Sequence, residues 1–383
     1  MAERLSLADL PAALRANPEQ PQVAMTVVGV GGAGGNVVDS LAGVRLPAVK
    51  TLAVNTDRQA LQGLRAGQTI CLGESLTRGL GAGGDPLVGQ QAAEESTHAL
   101  IQALSGSDLV FIAAGMGGGT GTGAAPIVAQ IARDLGALTV ALVTRPFGFE
   151  GRRRARMAEQ GLGQLRPIAD TVIVVPNDRL LQAAARTTSV REAFGMADTV
   201  LRHGVQGLAE LVGRHGMINV DFADVRAIMG EAGPALLGIG AARGPDRAFE
   251  AARRAMSCPL LEGRLEGSRR LLLNIAGGDD LGLLEVQRAA ELVSRTLDAD
   301  ANIIFGASVD PALSDGRVIV TLVATGFSLS EPPRLRRIAV AEPVPVPTAP
   351  TAPPVPSAPS LCPADAIAAD KLDLPPFLLR RRM

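Results

Sequence analysis

The sequence predicts an α/β fold: a parallel sheet with helices on both faces, then one long helix and a smaller second unit. Two observations carry this expectation. Between Val23 and Thr187, short and near-continuous apolar runs alternate with helical stretches, the pattern of strands buried on both faces. Beyond them, Phe194, Ala197, Leu201, Val205, Leu208 and Val212 recur at three- and four-residue intervals, which marks one apolar face of a helix. The chain has 383 residues, 47% of them hydrophobic. That is enough for a sizeable core and is a soft prior for about two domains.

Met1–Gln22 has no continuous apolar core of signal-peptide length and reads as a flexible arm. Strands are expected at Val23–Val30, Thr51–Val54, Leu109–Ala114, Leu138–Val143 and Thr171–Val175. Helices are expected at Pro86–Leu104, Pro126–Leu135 and Arg152–Leu165. The amphipathic stretch covers Val190 to Val212, and Gly213 and Gly216 suit its end. A second unit, from about Met217 to Phe327, carries strand-like runs at Leu271–Ala276, Asn302–Ala307 and Val318–Ala324, with a helix at Leu283–Leu297. From Ser330 to Pro376 there are 13 of the chain's 26 Pro, a composition that cannot offset the entropy of a packed core and reads as an extended linker. The last residues regain Leu and Phe and end in Arg380-Arg381-Arg382, which fits either a docking peptide or a frayed terminus.

Composition excludes several classes. A net charge of -1 excludes a strongly basic nucleic-acid binder. Cys71, Cys258 and Cys362 are an odd and widely spaced set, so a reducing compartment is expected and a disulfide framework is not. These cysteines and His98, His203 and His215 lack zinc-ligand spacing. No apolar run approaches the roughly 18 residues that span a bilayer, so a soluble cytoplasmic protein is expected.

The chemistry concentrates in four segments. Gly29-Val30-Gly31-Gly32-Ala33-Gly34-Gly35-Asn36 follows the first strand and opens a helix, where free N–H groups favour an anion. With Asp57 about twenty residues further on, this segment alone fits a dinucleotide site. A second glycine loop, Gly115 to Gly123, repeats the strand-to-helix arrangement with Thr120 and Thr122 interleaved. Two such loops on one sheet could form two walls of one phosphate cradle. The only lysines are Lys50 and Lys371, and neither follows a glycine loop, which excludes a Walker A mechanism. Arg145 to Arg154 offers arginines for forked phosphate contacts, or else a solvated helix start. Asp221 and Asp224, three residues apart, could hold a cation or orient a water, while Asp221 could equally be a helix cap.

Taken together, these residues resemble the tubulin-like FtsZ family of bacterial cell-division GTPases. Gly117-Gly118-Gly119-Thr120-Gly121-Thr122-Gly123 matches that family's glycine signature. In family order stand Gly31 to Asn36, Asn55-Thr56-Asp57, Arg78 to Gly83, Arg145-Pro146-Phe147, Pro176-Asn177-Asp178-Arg179 and Asn219 to Asp224. The resemblance implies a Rossmann-like GTP-binding domain at 23–189, a central helix at 190–216 and a smaller α+β C-terminal domain at 217–328. A linker at 329–371 and a docking peptide at 372–383 would follow.

By position, the resemblance implies that Gly32, Ala33, Gly34, Gly35 and Asn36, with Gly119, Thr120 and Gly121, hold GTP phosphates. Glu150 and Arg154 would reach ribose and phosphate. Asn177 and Asp198 would hydrogen-bond guanine, with Phe194 against its face. Asn219, Asp221 and Asp224 would be catalytic, serving the nucleotide of an adjacent subunit in a head-to-tail homopolymer. GTP or GDP and Mg²⁺ are the implied cofactors, with K⁺ a further candidate and no protein ligand assigned to the metal. Asp373, Pro375, Phe377, Leu378 and Arg380 resemble the terminal peptide that docks on membrane-anchored adaptors such as FtsA, although a second Leu precedes the Arg run here. Ala33 replaces a glycine often seen in the first loop. The implied setting is cytoplasmic, at a mid-cell division ring, with neither nucleic-acid binding nor direct membrane insertion.

Two alternatives stay open on sequence. An NAD-dependent oxidoreductase would use the first glycine loop but leaves the second, and Asn219 to Asp224, without a role. A relative that polymerises or regulates without turnover would not need Asp221 and Asp224.

Overall fold

The computed structural model describes residues 23–327, apart from 45, 47, 182–184, 186, 214–217, 219, 262–264, 266, 299, 311–312 and 314. The expected arm, linker and docking peptide, including Asp373, Pro375, Phe377, Leu378 and Arg380, lie outside the described residues, as does Asn219.

The first part is wound from strands β1 (Met25–Val30), β2 (Val49–Asn55), β3 (Gln68–Cys71), β4 (Leu109–Gly115), β5 (Leu138–Arg145) and β6 (Thr171–Pro176). They pair in the order β3-β2-β1-β4-β5-β6, all parallel. Helices α1 (Gly31–Leu41), α2 (Arg58–Leu61), α3 (Glu74–Thr77), α4 (Pro86–Glu95), α5 (Thr97–Leu104), α6 (Thr120–Asp134), α7 (Arg152–Leu165) and α8 (Asn177–Leu180) connect them. Every residue of β1 is buried. Its side chains alternate between two cores because strand side chains have period two. Val27 joins Val37, Leu41, Leu201 and Val205 on one face, and Val28 joins Val128, Ala129 and Leu162 on the other. This explains why the strands read as unbroken apolar runs.

Helix α9 (Val190–Gly213) follows, with Ala197, Leu201, Val205 and Leu208 buried as the stripe predicts. After α10 (Phe222–Met229), β7 (Gly233–Arg243) pairs in parallel with β6 at its start and antiparallel with the later β10 (Arg317–Thr325). β8 (Arg270–Gly277) lies between β10 and β9 (Asn302–Val309). Helices α11 (Arg247–Met256) and α12 (Leu283–Ser294) cover one face of these strands around a third core that includes Ala251, Leu273 and Val320.

Three expectations need correction. The stretch Pro86–Leu104 is two helices, because Ser96 leaves helical geometry at φ -93° and ψ 11°. The helix expected from Pro126 begins at Thr120, so part of the glycine loop is helical and Pro126 lies inside. Strand β7 is absent from the expected strands, since Gly233, Pro234, Gly238 and Gly240 interrupt its apolar pattern. The glycines there serve packing: a Cβ on Gly240 would sit 2.1 Å from the Ala251 carbonyl oxygen, so α11 rests directly on the strand.

Candidate active site

The parallel strands all point the same way, so the loops after β1, β4, β5 and β6 share one edge of the sheet. The chain leaves β1 towards β2 on one side, whereas β4 leads to β5 and β6 on the other. Such a switch point leaves a crevice outside the strand ends, where α/β proteins bind ligands. A cleft of about 370 Å³ lies there.

The phosphate-like end is built from two helix starts. Helix α1 begins immediately after β1, and α6 begins at Thr120, following Gly119. Neither start has a side-chain cap, which leaves the first N–H groups of both helices for a ligand. The two loops touch. Gly31 has a φ of +72°, and a Cβ there would lie 3.1 Å from the Gly121 nitrogen. Gly32, Ala33, Gly119, Thr120 and Gly121 all line the cleft. Gly34 and Gly35 do not. They are buried on the inward side of α1, where a Cβ on Gly34 would meet the Ala113 carbonyl oxygen at 2.3 Å.

The other end is shaped for a flat polar group. Asn177 is 4% exposed and lines the cleft, and its buried Oδ1 has no partner among the described residues. A buried acceptor without a donor is costly unless a ligand supplies one. Asp198 Oδ2 accepts a hydrogen bond from Asn36 Nδ2 at 2.9 Å, so Asn36 reaches the site through Asp198. Burial pushes the Asp198 carboxyl above its ordinary range, and the Asn36 bond opposes that shift. Phe194 forms an aromatic group with Phe147, edge-on at 5.1 Å, and Phe149, edge-on at 6.4 Å. Phe147 and Phe149 stack at 4.9 Å.

Between the two ends, Glu150 and Arg154 line the cleft and pair with each other at 2.5 Å. Glu150 Oε1 also accepts from the Phe147 backbone N–H at 2.9 Å, and Asp178 Oδ1 accepts from Gly148 at 2.8 Å. These bonds fix the short turn Gly148–Glu150 against α8. Sequence reasoning gives no site role to Phe147, Phe149, Thr56 or Asp178. The three phenylalanines are drawn from only 9 in the chain, and their proximity is the available signal.

The acidic pair lies elsewhere. Asp221 caps α10, with Oδ1 accepting from Ala223 at 3.3 Å, and both Asp221 and Asp224 are exposed. Arg226 donates to the Gly136 carbonyl at 3.3 Å, which places α10 beside the N-terminal end of β5. The cleft is at the opposite edge. The 24 residues of α9, which carry Phe194 at the cleft, span about 36 Å. Asp57, the acid a dinucleotide enzyme would use on ribose, instead caps α2 by accepting from Gln59 at 2.9 Å. A larger cavity of about 620 Å³ adjoins His203, Asn274 and Arg317, but among the described residues no α-helix start lines it. The smaller cleft is therefore the candidate site.

Among the described residues, no helix is long and apolar enough to cross a membrane. Residues 24–185 match the GTPase-domain model of the Tubulin/FtsZ family, and residues 233–328 match the C-terminal domain of the FtsZ family. An empty FtsZ dimer from M. jannaschii is 44% identical, covering 84% of this chain and 93% of that one at a TM-score of 0.79. A point mutant of M. jannaschii FtsZ is also 44% identical, covering 82% and 95% at a TM-score of 0.78. CetZ2 from Haloferax volcanii, solved as a GTPγS-bound protofilament, shares the fold at 24% identity, covering 81% and 95% at a TM-score of 0.67. With the glycine signature set on a doubly wound sheet and both family models matched in order, this chain belongs to the tubulin/FtsZ family of GTPases.

Proposed function

We propose that the chain hydrolyses GTP to GDP and phosphate at a site completed by a second copy of itself in a head-to-tail filament. One observation carries this reading: the two capless glycine helix starts and the acidic pair Asp221 and Asp224 occupy opposite edges of the same sheet. A single chain cannot bring them together, but head-to-tail stacking does. In support, an M. jannaschii relative forms a dimer and an H. volcanii relative a GTPγS-bound protofilament.

The nucleotide phosphates rest on the N–H groups that begin α1 and α6, with Gly32, Ala33, Gly119, Thr120 and Gly121 closest. The helix starts stabilise the negative charge. Arg154 contacts phosphate and Glu150 the ribose. Asn177 Oδ1 accepts from the guanine edge, Asp198 accepts from the guanine N–H groups, and Phe194 packs on its face. An anionic Asp198 matches those donors, whereas adenine offers a different pattern at the same edge. From the neighbouring copy, Asn219 serves the nucleotide, and Asp221 and Asp224 position and polarise the attacking water. Mg²⁺, with K⁺ as a further cation, would supply charge neutralisation on the phosphates. Among the described residues no cluster of three or more His, Cys, Asp or Glu is placed to hold a metal.

Carried further, the filament is the division ring in the cytoplasm at mid-cell, joined to membrane-anchored adaptors such as FtsA through Asp373, Pro375, Phe377, Leu378 and Arg380. The domain boundaries 23–189, 190–216 and 217–328 belong to the same reading.

The test is phosphate release against protein concentration, with light scattering as the assembly readout. Turnover per subunit should rise with concentration in step with scattering. Asp224→Ala should bind GTP and assemble without releasing phosphate. Undiminished turnover of Asp224→Ala at dilute, non-scattering concentration would sink the shared-site reading.

A further inference from the structure

Thr56 stands directly after β2, is fully buried, and does not line the cleft. Its Oγ1 lies 2.7 Å from the Oγ1 of Thr120, which does line the cleft. Among the described residues, this is the hydrogen bond each of the two hydroxyls makes. A hydroxyl carries one proton, and a buried donor left without an acceptor is costly. Thr56 is sealed from water, so Thr120 is the group that can take its proton. The direction of the pair then follows. Thr56 donates, Thr120 accepts, and the proton of Thr120 is left to point into the cleft beside the uncapped start of α6.

We propose that Thr56 is a positioning residue that fixes the Thr120 hydroxyl as a donor to nucleotide phosphate. This rests on the reading of the cleft given above. The backbone of Thr56 is held separately: its carbonyl accepts from Gly81 N–H at 3.1 Å and from Thr77 Oγ1 at 3.3 Å. Substituting the side chain leaves both bonds in place. Thr56→Val keeps the shape and removes the donor. The Thr120 hydroxyl is then free to rotate and share its proton elsewhere. Because the effect acts through phosphate, it spares recognition of the base.

The experiment uses the full chain and calorimetric titration of GDP and of guanosine. Thr56→Val should bind GDP roughly tenfold more weakly, the scale of one hydrogen bond to a charged group, and guanosine as before. Thr56→Ser restores GDP binding. Thr120→Val should weaken GDP binding similarly, and adding Thr56→Val to it should change nothing more. If Thr120→Val weakens GDP binding and Thr56→Val does not, the positioning role is wrong while the reading of the cleft stands. If Thr120→Val binds GDP normally, the phosphate assignment of that loop fails and the proposal falls with it. Equal loss of guanosine and GDP in Thr56→Val would mean general loosening and would overturn the proposal. Thr56→Ala, which needs no added packing, replaces Thr56→Val if the latter does not fold.

Discussion

Single residues in this chain act through what burial denies them. Asn177 holds a buried oxygen that the described residues leave without a donor. Removing it should cost ligand affinity more than stability: Asn177→Ala is expected to weaken GDP binding by about 1–3 kcal/mol in calorimetric titration, with little change in melting temperature. His203 shows the opposite case, a side chain held neutral by its surroundings. Burial, with the charges of Arg202 and Arg317, depresses its pKa from 6.5 to about 4. Arg202 Nη2 stands 2.7 Å from its Nε2, an arrangement that suits the unprotonated ring. The sign of the pH effect follows. Between pH 6.5 and about 4 the unfolded chain binds a proton that the native chain does not. Stability from this group is whole above that window and is lost as pH falls through it, by about 3 kcal/mol at most. His203→Gln should flatten that part of the profile in urea unfolding at pH 7 and pH 5.

Elements are set by close approach and by buried charge. Helix α11 can lie on β7 because Gly240 has no side chain. Gly240→Ala should force the helix away and cost about 1–3 kcal/mol by chemical denaturation, with an unchanged nucleotide affinity since the cleft is built elsewhere. The same helix is tied to α12 by Arg247, which is 8% exposed and pairs with Asp280 at 2.7 Å and Glu285 at 2.9 Å. These carboxylates hold the guanidinium pKa above its ordinary value, chiefly through the hydrogen bonds it donates to Glu285 and Asp280. Arg247→Met strands Glu285 and should destabilise by about 2–3 kcal/mol, less than a fully buried pair because Asp280 is open to water. The elements also show where sequence patterns stop being legible. The stripe on α9 is readable because one face meets an apolar core throughout. Strand β7 is not, because its glycines answer to α11, a neighbour that the local sequence does not show.

Across the molecule, the sheet separates the cleft from the acidic pair Asp221 and Asp224. If filament contacts unite them, two defective chains should repair each other. A chain with Asp224→Ala keeps its cleft, and a chain with Asn177→Ala keeps its acidic pair. An equimolar mixture should release phosphate faster than the sum of the two alone, at concentrations where light scatters. No gain on mixing would contradict a site shared between copies. With no Trp and no Tyr in the chain, scattering and phosphate release are better readouts than intrinsic fluorescence.

Local pattern was enough for the fold class, the order of most elements and the glycine loops, because each rests on periodicity or on residues that only a close backbone approach explains. It also marked Asp221 and Asp224 as able to hold a cation or orient a water, with Asp221 equally fit to cap a helix, and two misplaced lysines excluded a Walker A loop. Which residues share a surface was settled by the folded chain. Folding joined Gly31 to Gly121, turned Gly34 and Gly35 inward, brought Phe147 and Phe149 to Phe194, and gave Asp57 to a helix cap. It also put Asp221 and Asp224 at the edge of the sheet away from the cleft. One cause is common to all of these. Periodicity reports which face of an element is buried, whereas the partner that buries it, or the one that leaves a hydroxyl such as Thr56 a single acceptor, is fixed by contacts between residues far apart in the chain.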